Sequence, residues 1–107
     1  MKEIKAIIQP FRLDEVREAL RKVPGFPGMT VTRVEGCSSP QRHVPHGIKE
    51  ELLDFSPKVR IEIVAEDAHA EGLRKAILEA AATQHVGDGI VWMTAAEAFE
   101  YVWKPGD

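Results

Sequence analysis

Met29-Thr-Val-Thr-Arg-Val-Glu35 and Lys58-Val-Arg-Ile-Glu-Ile-Val-Ala65 are two strand-like runs, and what separates them decides the fold. In the second, Val59, Ile61 and Ile63 alternate with Lys58, Arg60 and Glu62, a period of two that gives a strand one polar face. The first is rich in threonine and valine, which suit a pleated backbone. A tight hairpin would join such a pair. Instead, twenty-one residues from Cys37 to Pro57 intervene without a sustained hydrophobic period. Connections of that length are functional or disordered. This one also holds His43, His46 and the lone cysteine, Cys37, so it is the first place to look for a switch or a contact surface.

The pattern extends on both sides. Ile4, Ala6 and Ile8 alternate with Lys5, Ile7 and Gln9, which predicts a strand that Pro10 stops. Leu13, Val16, Leu20 and Val23 recur every three or four residues and form one helical stripe. Asp14 and Glu15 in its first turn, with Arg21 and Lys22 in its last, suit the helix dipole. Pro24, Gly25, Pro27 and Gly28 then turn the chain. After the third strand Asp67 is the expected N-cap of a second helix carrying Leu73, Ala76, Ile77, Ala80 and Ala81 on one face. Gly87-Asp88-Gly89 is a tight turn, and Ile90 to Thr94 a fourth strand. Phe99, Tyr101, Val102 and Trp103 follow. The order β-α-β-β-α-β predicts an α+β, ferredoxin-like sandwich with both helices on one face of an antiparallel sheet. The opposite face would be bare, with Ile7, Thr30, Thr32 and Val34 on it, and a partly apolar bare face invites oligomerisation.

Composition narrows the function. The chain has 107 residues, enough for one domain with one core. Its net charge of −3 argues against nonspecific nucleic-acid binding, which needs excess lysine and arginine. One cysteine rules out an intrachain disulfide and points to a reducing compartment. No apolar run has membrane-spanning length and no signal-peptide core opens the chain, so a cytoplasmic location is expected. Nucleophile–base arrangements, a phosphate-binding P-loop and zinc-hydrolase motifs are all missing from the sequence, which argues against an enzyme.

Four blocks together resemble one family. Lys5-Ala-Ile-Ile-Gln-Pro-Phe-Arg-Leu-Asp-Glu-Val-Arg-Glu-Ala-Leu20, Gly28-Met-Thr-Val-Thr-Arg-Val-Glu-Gly36, Asp54-Phe-Ser-Pro-Lys-Val-Arg-Ile-Glu-Ile-Val64 and Thr83 to Gly89 are similar to the PII signal-transduction (nitrogen-regulatory) proteins. The last block matches the family's B-loop, and the segment 37–57 stands where the family has its T-loop. The resemblance implies a homotrimer that holds ATP or ADP, often with 2-oxoglutarate, in clefts between subunits. It also implies a T-loop that grips a partner protein such as a membrane transporter or a metabolic enzyme. Carried over by position, Ile7, Thr30, Gly36, Glu62, Val64, Gly87, Asp88 and Gly89 match members of the nucleotide site. Glycines there would let backbone N–H groups approach phosphate oxygens.

The departures are as informative. Ile90 stands where the family has a cation, and Tyr101 and Trp103 where it presents two arginines to the phosphates. Charge-assisted contacts contribute about 1.5–3 kcal/mol each, so ATP binding would be weakened by orders of magnitude unless Lys58 or Lys104 compensates. Cys37-Ser-Ser-Pro replaces the polar base of the T-loop. The loop tyrosine of the family is absent, with Glu51 near its position, which removes uridylylation and leaves Ser38 and Ser39 as the remaining modifiable loop hydroxyls. AMP and bicarbonate, effectors of other PII-like branches, join ATP and ADP as expected ligands.

Other residues suggest further roles. Cys37, His43 and His46 offer thiolate and imidazole ligands for a transition metal, the basis of an alternative reading as a metal-responsive accessory protein linked to heavy-metal transport. Two solvated histidines and a small loop cysteine are the plainer interpretation. His85 in the B-loop has the chemistry for pH dependence near neutrality, or is simply an exposed turn residue. Ile48, Leu52 and Phe55 have the spacing of a short amphipathic turn. Phe99, Tyr101, Trp92 and Trp103 are expected to pack a trimer interface or line a cleft wall. A third reading is a structural adaptor with an empty cleft.

Overall fold

The computed structural model describes residues 1–37 and 55–106. Strand β1 (Lys2–Ile8) leads through a single 3-10 turn (Pro10–Arg12) into helix α1 (Leu13–Arg21). Strands β2 (Thr30–Gly36) and β3 (Ser56–Ala65) follow, then helix α2 (Asp67–Ala81) and strand β4 (Gly89–Ala95). The sheet order is β2-β3-β1-β4, with every neighbouring pair antiparallel. This is the α+β, ferredoxin-like arrangement that the element order predicts.

Alternation in the strands does the sorting. Ile4, Ala6 and Ile8 of β1 and Val59, Ile61, Ile63 and Ala65 of β3 are buried beneath the helices. Val16 and Leu20 of α1 and Ala70, Leu73, Ile77 and Ala81 of α2 complete the same core. Each large aliphatic side chain removed from water here contributes about 1.5–3 kcal/mol, which is why the two helices share one side of the sheet. Arg12 ties the layers together: its Nε and Nη2 donate to the Ala80 carbonyl at 2.9 and 2.6 Å. That carbonyl lies in the last turn of α2, where backbone acceptors lack helical partners and a cation is favourable.

Several boundaries differ from the sequence expectation. β2 begins at Thr30, not Met29, and runs on to Gly36. β3 begins at Ser56, so the far end of the expected loop Cys37–Pro57 belongs to the sheet. Pro57 is tolerated there because it sits at the start of the strand, where a missing donor costs little. β4 is one residue longer at each end than expected. Helix α1 closes at Arg21 with Lys22 as C-cap, leaving Val23 outside it. Asp67 is the first helical residue of α2; the N-cap is Glu66, which makes no side-chain cap hydrogen bond. Asp67 instead faces the amino terminus, its Oδ1 3.2 Å from the Met1 nitrogen.

Candidate functional site

The register places Ile7, Thr30, Gly36, Glu62 and Val64 on the sheet face that the helices leave open, while Gly87 and Asp88 lie in the turn before β4 and Gly89 pairs with Ile8 of the covered face. Directly paired residues project to the same face, so Thr30, Glu62 and Lys5 form one row, ending at Trp92. Thr32, Arg60, Ile7 and Ile90 form the next row towards the β1 C-terminus, and Val64, Glu3 and Thr94 the next in the other direction. Ile7, Thr30, Thr32 and Val34 thus all lie on the bare face, as the alternation predicts. Its surface mixes charged with apolar side chains. Lys5 pairs with Glu3 at 3.0 Å, and Arg60 Nε lies 3.5 Å from Glu62. That second contact is an ion pair only, since Nε lacks a hydrogen bond of good geometry. The Arg60 guanidinium also sits 6.0 Å from the Trp92 ring centroid, within cation–π range.

Two groups of site residues occupy opposite ends of the sheet. At one end Thr30, Glu62 and Val64 line a cavity of about 500 Å³ with Glu3, Pro27, Gly28, Met29, Ile63, Phe99 and Tyr101. Phe99 and Tyr101 meet edge to face with centroids 5.1 Å apart, so these two aromatics form a wall. Trp103 does not join them in the cavity lining and is 74% exposed. At the other end are Gly36, opposite Ser56, and Gly89, opposite Ile8. From Val64 to Ser56 is eight residues of β3, about 26 Å at roughly 3.3 Å per residue. Ile7 lies between the two groups.

The glycine end is locally well determined. Gly89 has φ of +136°, and a Cβ there would lie 2.2 Å from the Ile7 carbonyl oxygen. Only glycine fits. Gly87, with φ of +96°, offers its carbonyl to Gln9 Nε2 at 2.8 Å. Gln9 is 7% exposed at the end of β1, and no local signal in the sequence marks it for this contact. Asp88 closes the turn as an acceptor. Its Oδ2 takes the Thr83 N–H at 2.6 Å and the His85 N–H at 3.3 Å, and its Oδ1 takes the Thr83 hydroxyl. Partial burial pushes the Asp88 carboxyl up, but the two Thr83 bonds, the His85 N–H and the His85 charge outweigh it and hold the group below its ordinary range. Thr83 Oγ1 is also 3.1 Å from His85 Nδ1. Lys58 is the cation beside Gly36: a Cβ on Gly36 would approach Lys58 Cγ to 3.2 Å. Ile90, by contrast, presents an exposed aliphatic side chain.

The comparisons with known proteins follow this layout. The family described as Nitrogen regulatory protein P-II matches residues 1–103. The chain belongs to the P-II family. Relatives named Nitrogen regulatory protein P-II from Azospirillum brasilense and Rhodospirillum rubrum are each 46% identical over 98 residues, covering 91% of this chain and 87% of the relative. Nitrogen regulatory protein P-II 1 of Escherichia coli strain K12 is 45% identical over 94 residues, 87% of this chain and 83% of that one. As a P-II protein the chain is a signal-transduction regulator rather than an enzyme.

The metal reading gains no support. Cys37 is exposed, while His43 and His46 lie outside the described residues, as do Ser38, Ser39, Ile48, Glu51 and Leu52. Among the described residues no group of three histidines, cysteines or carboxylates is placed to hold a metal ion. Phe55, at the edge of the loop, is 55% exposed. No described helix is long and apolar enough to cross a membrane.

Proposed function

We propose that this P-II protein binds a small adenine nucleotide or other small anion in clefts between copies of the chain and signals through the segment 37–57 to a partner protein. The separation of the two residue groups carries the proposal. Gly36 and the 87–89 turn lie at the far end of the sheet from the cavity walled by Phe99 and Tyr101. One small ligand cannot span about 26 Å of strand. A homotrimer that sets the glycine end of one copy against the cavity end of the next brings all eight residues around one ligand. Ligand occupancy would then bias the loop that leaves the sheet beside Gly36, and a partner that binds one loop conformation better would read the change.

The lining argues about which anion. Ile90, Tyr101 and Trp103 supply no positive charge, and Lys58 is the cation placed at the glycine end. A phosphate-poor effector such as AMP, or bicarbonate, fits this balance better than ATP. Isothermal titration calorimetry with ATP, ADP, AMP and bicarbonate tests it, with sedimentation run on the same sample. Saturable heat with AMP or bicarbonate, on a trimer, is the expected result. A trimer silent to all four ligands, with no thermal stabilisation, would leave only a structural adaptor. A monomer would remove the shared cleft altogether.

A further inference from the structure

We infer that the C-terminal tail is a strap whose Trp103 closes over the β2 edge into the groove between β2 and helix α1 of its own chain. The strap needs no ligand; only its bearing on the cavity walled by Phe99 and Tyr101 rests on the reading above.

The tail is led to that edge. After β4 the Ala96 N–H donates to the Met1 carbonyl at 3.1 Å, and Ala98 takes a left-handed φ of +54°. An L residue adopts that backbone at a cost, so it persists where the surrounding structure fixes it. The chain then crosses this end of the sheet from β4 towards β2, because Phe99 and Tyr101 line one cavity with Glu3 of β1, Val64 of β3 and Thr30 of β2. Their edge-to-face contact holds the stretch in place. Beyond Tyr101 the hold ends: Val102 is exposed and Trp103 is 74% exposed. A packed indole buries about 150–250 Å², and most of that area is still in water here.

A seat for it lies within reach. Val31 pairs with the core residue Ile61 and so projects to the helix side, yet α1 leaves it 38% exposed. The uncovered strip is a groove of about 560 Å³ with an apolar floor of Val23, Phe26, Met29 and Val31, and Arg17 and Arg21 of α1 on its rim. Gly28 and Met29 line both this groove and the cavity that holds Tyr101. Two residues of extended chain span about 7 Å, so Trp103 starts from the shared rim. The groove wall is firm: Gly25, with φ of +79°, sits so close to the His69 ring that no Cβ would fit.

The lining suits an indole. Its floor is apolar, and a guanidinium over the face of tryptophan is the best of the cation–π pairs. Arg17 and Arg21 are both more than half exposed and meet Glu18 at 3.9 and 3.4 Å. A carboxylate binds in the guanidinium plane, which leaves the flat faces for a ring. The tether favours the tail over any free partner, since a short linker presents its end at a roughly millimolar effective concentration. Seated there, Trp103 draws the tail past Thr30 and pins the Tyr101 wall, so the strap sets how open the cavity is.

The test reads tryptophan emission. The chain has two tryptophans, so Trp92→Phe leaves Trp103 as the sole reporter. Emission blue-shifted from free N-acetyltryptophanamide, with at least threefold weaker acrylamide quenching, is expected. Val31→Glu in that background puts a charge on the groove floor and should return both readings to the free values. Arg17→Ala/Arg21→Ala, on exposed positions of α1, gives the same comparison where Val31→Glu does not fold. Chains carrying W92F/V31E are then refolded together with chains carrying W92F/W103F, which keep the groove but lack the reporter. The mixture should keep free-indole emission. Water-like emission in Trp92→Phe alone, or shielding that survives the groove variants, would overturn the strap. So would a blue shift recovered on mixing, because the tail would then seat on a second copy. None of these readings depends on whether a nucleotide or anion binds, so the strap and the effector reading fail separately.

Discussion

The two faces of one sheet obey different rules. On the covered face Ile4, Ala6, Ile8, Val59, Ile61 and Ile63 are between 0% and 2% exposed and belong to one apolar core. On the open face the same strands present Glu3, Lys5, Arg60 and Glu62 in paired charges, interrupted by Ile7, Val64 and Trp92. Burial dictates the first set: any polar replacement would lose its water without gaining a partner. Nothing about folding demands the second. The open face is where residues are at liberty to serve a ligand or another copy of the chain.

The largest expected difference between the faces is in stability. Ile61→Ala leaves a cavity beneath both helices and should cost about 2–5 kcal/mol, read from urea unfolding. Ile7→Ala, one strand over on the open face, should cost under about 1 kcal/mol on the same assay, as for a surface change, but should weaken self-association in sedimentation. Equal losses would mean that the open face is part of the fold's own core.

Gly89→Ala probes the boundary between the faces. Its positive φ disfavours any L side chain by about 1–2 kcal/mol, and the Ile7 carbonyl blocks the added carbon. Lost stability together with broken pairing at the Ile8–Gly89 end of β4, seen as amide shifts, is the expected outcome. Wild-type stability and shifts would show that the close approach is relaxed in solution.

Asp88→Asn sharpens the electrostatic side. Because the folded carboxyl titrates below its ordinary value near 3.9, its stabilisation is complete above that value. It fades as pH falls through the lower folded pKa. The wild type should therefore exceed D88N by about 1 kcal/mol at neutral pH, with the gap closing as pH falls below the ordinary carboxylate range. A gap that persists at lower pH would assign the effect to turn geometry rather than charge. The smallest effect belongs to Arg74→Ala. Its bidentate contact with Glu71, 2.9 Å from Nε and 2.5 Å from Nη2, lies in solvent, where ion pairs add little. The urea midpoint should not move.

Much of this was readable from local pattern. Alternation in β1 and β3 identified the buried face residue by residue, and the glycines of 87–89 marked a turn. The arrangement of the site was less legible. Thr83 was part of a recognisable block, but nothing local shows that its hydroxyl and N–H both close on Asp88. Gln9 and Gly87 are 78 positions apart. The extension of β3 back to Ser56 was hidden because Pro57 reads as a loop residue until Glu35 is seen opposite it.

The sequence by itself determined the element order and the apolar stripes of β1, β3 and both helices, because periodicity and turn chemistry act between neighbours within a few residues; its resemblance to the P-II family rests instead on whole blocks of matching residues. Only the tertiary structure decided that Thr30, Glu62 and Val64 stand at the opposite end of the sheet from Gly36 and Gly89. It alone also decided that helix α1 leaves Val31 of β2 38% exposed. Those outcomes depend on strand register and on how far one helix reaches across the sheet. Both are settled by packing between segments distant in the chain, to which no local pattern answers.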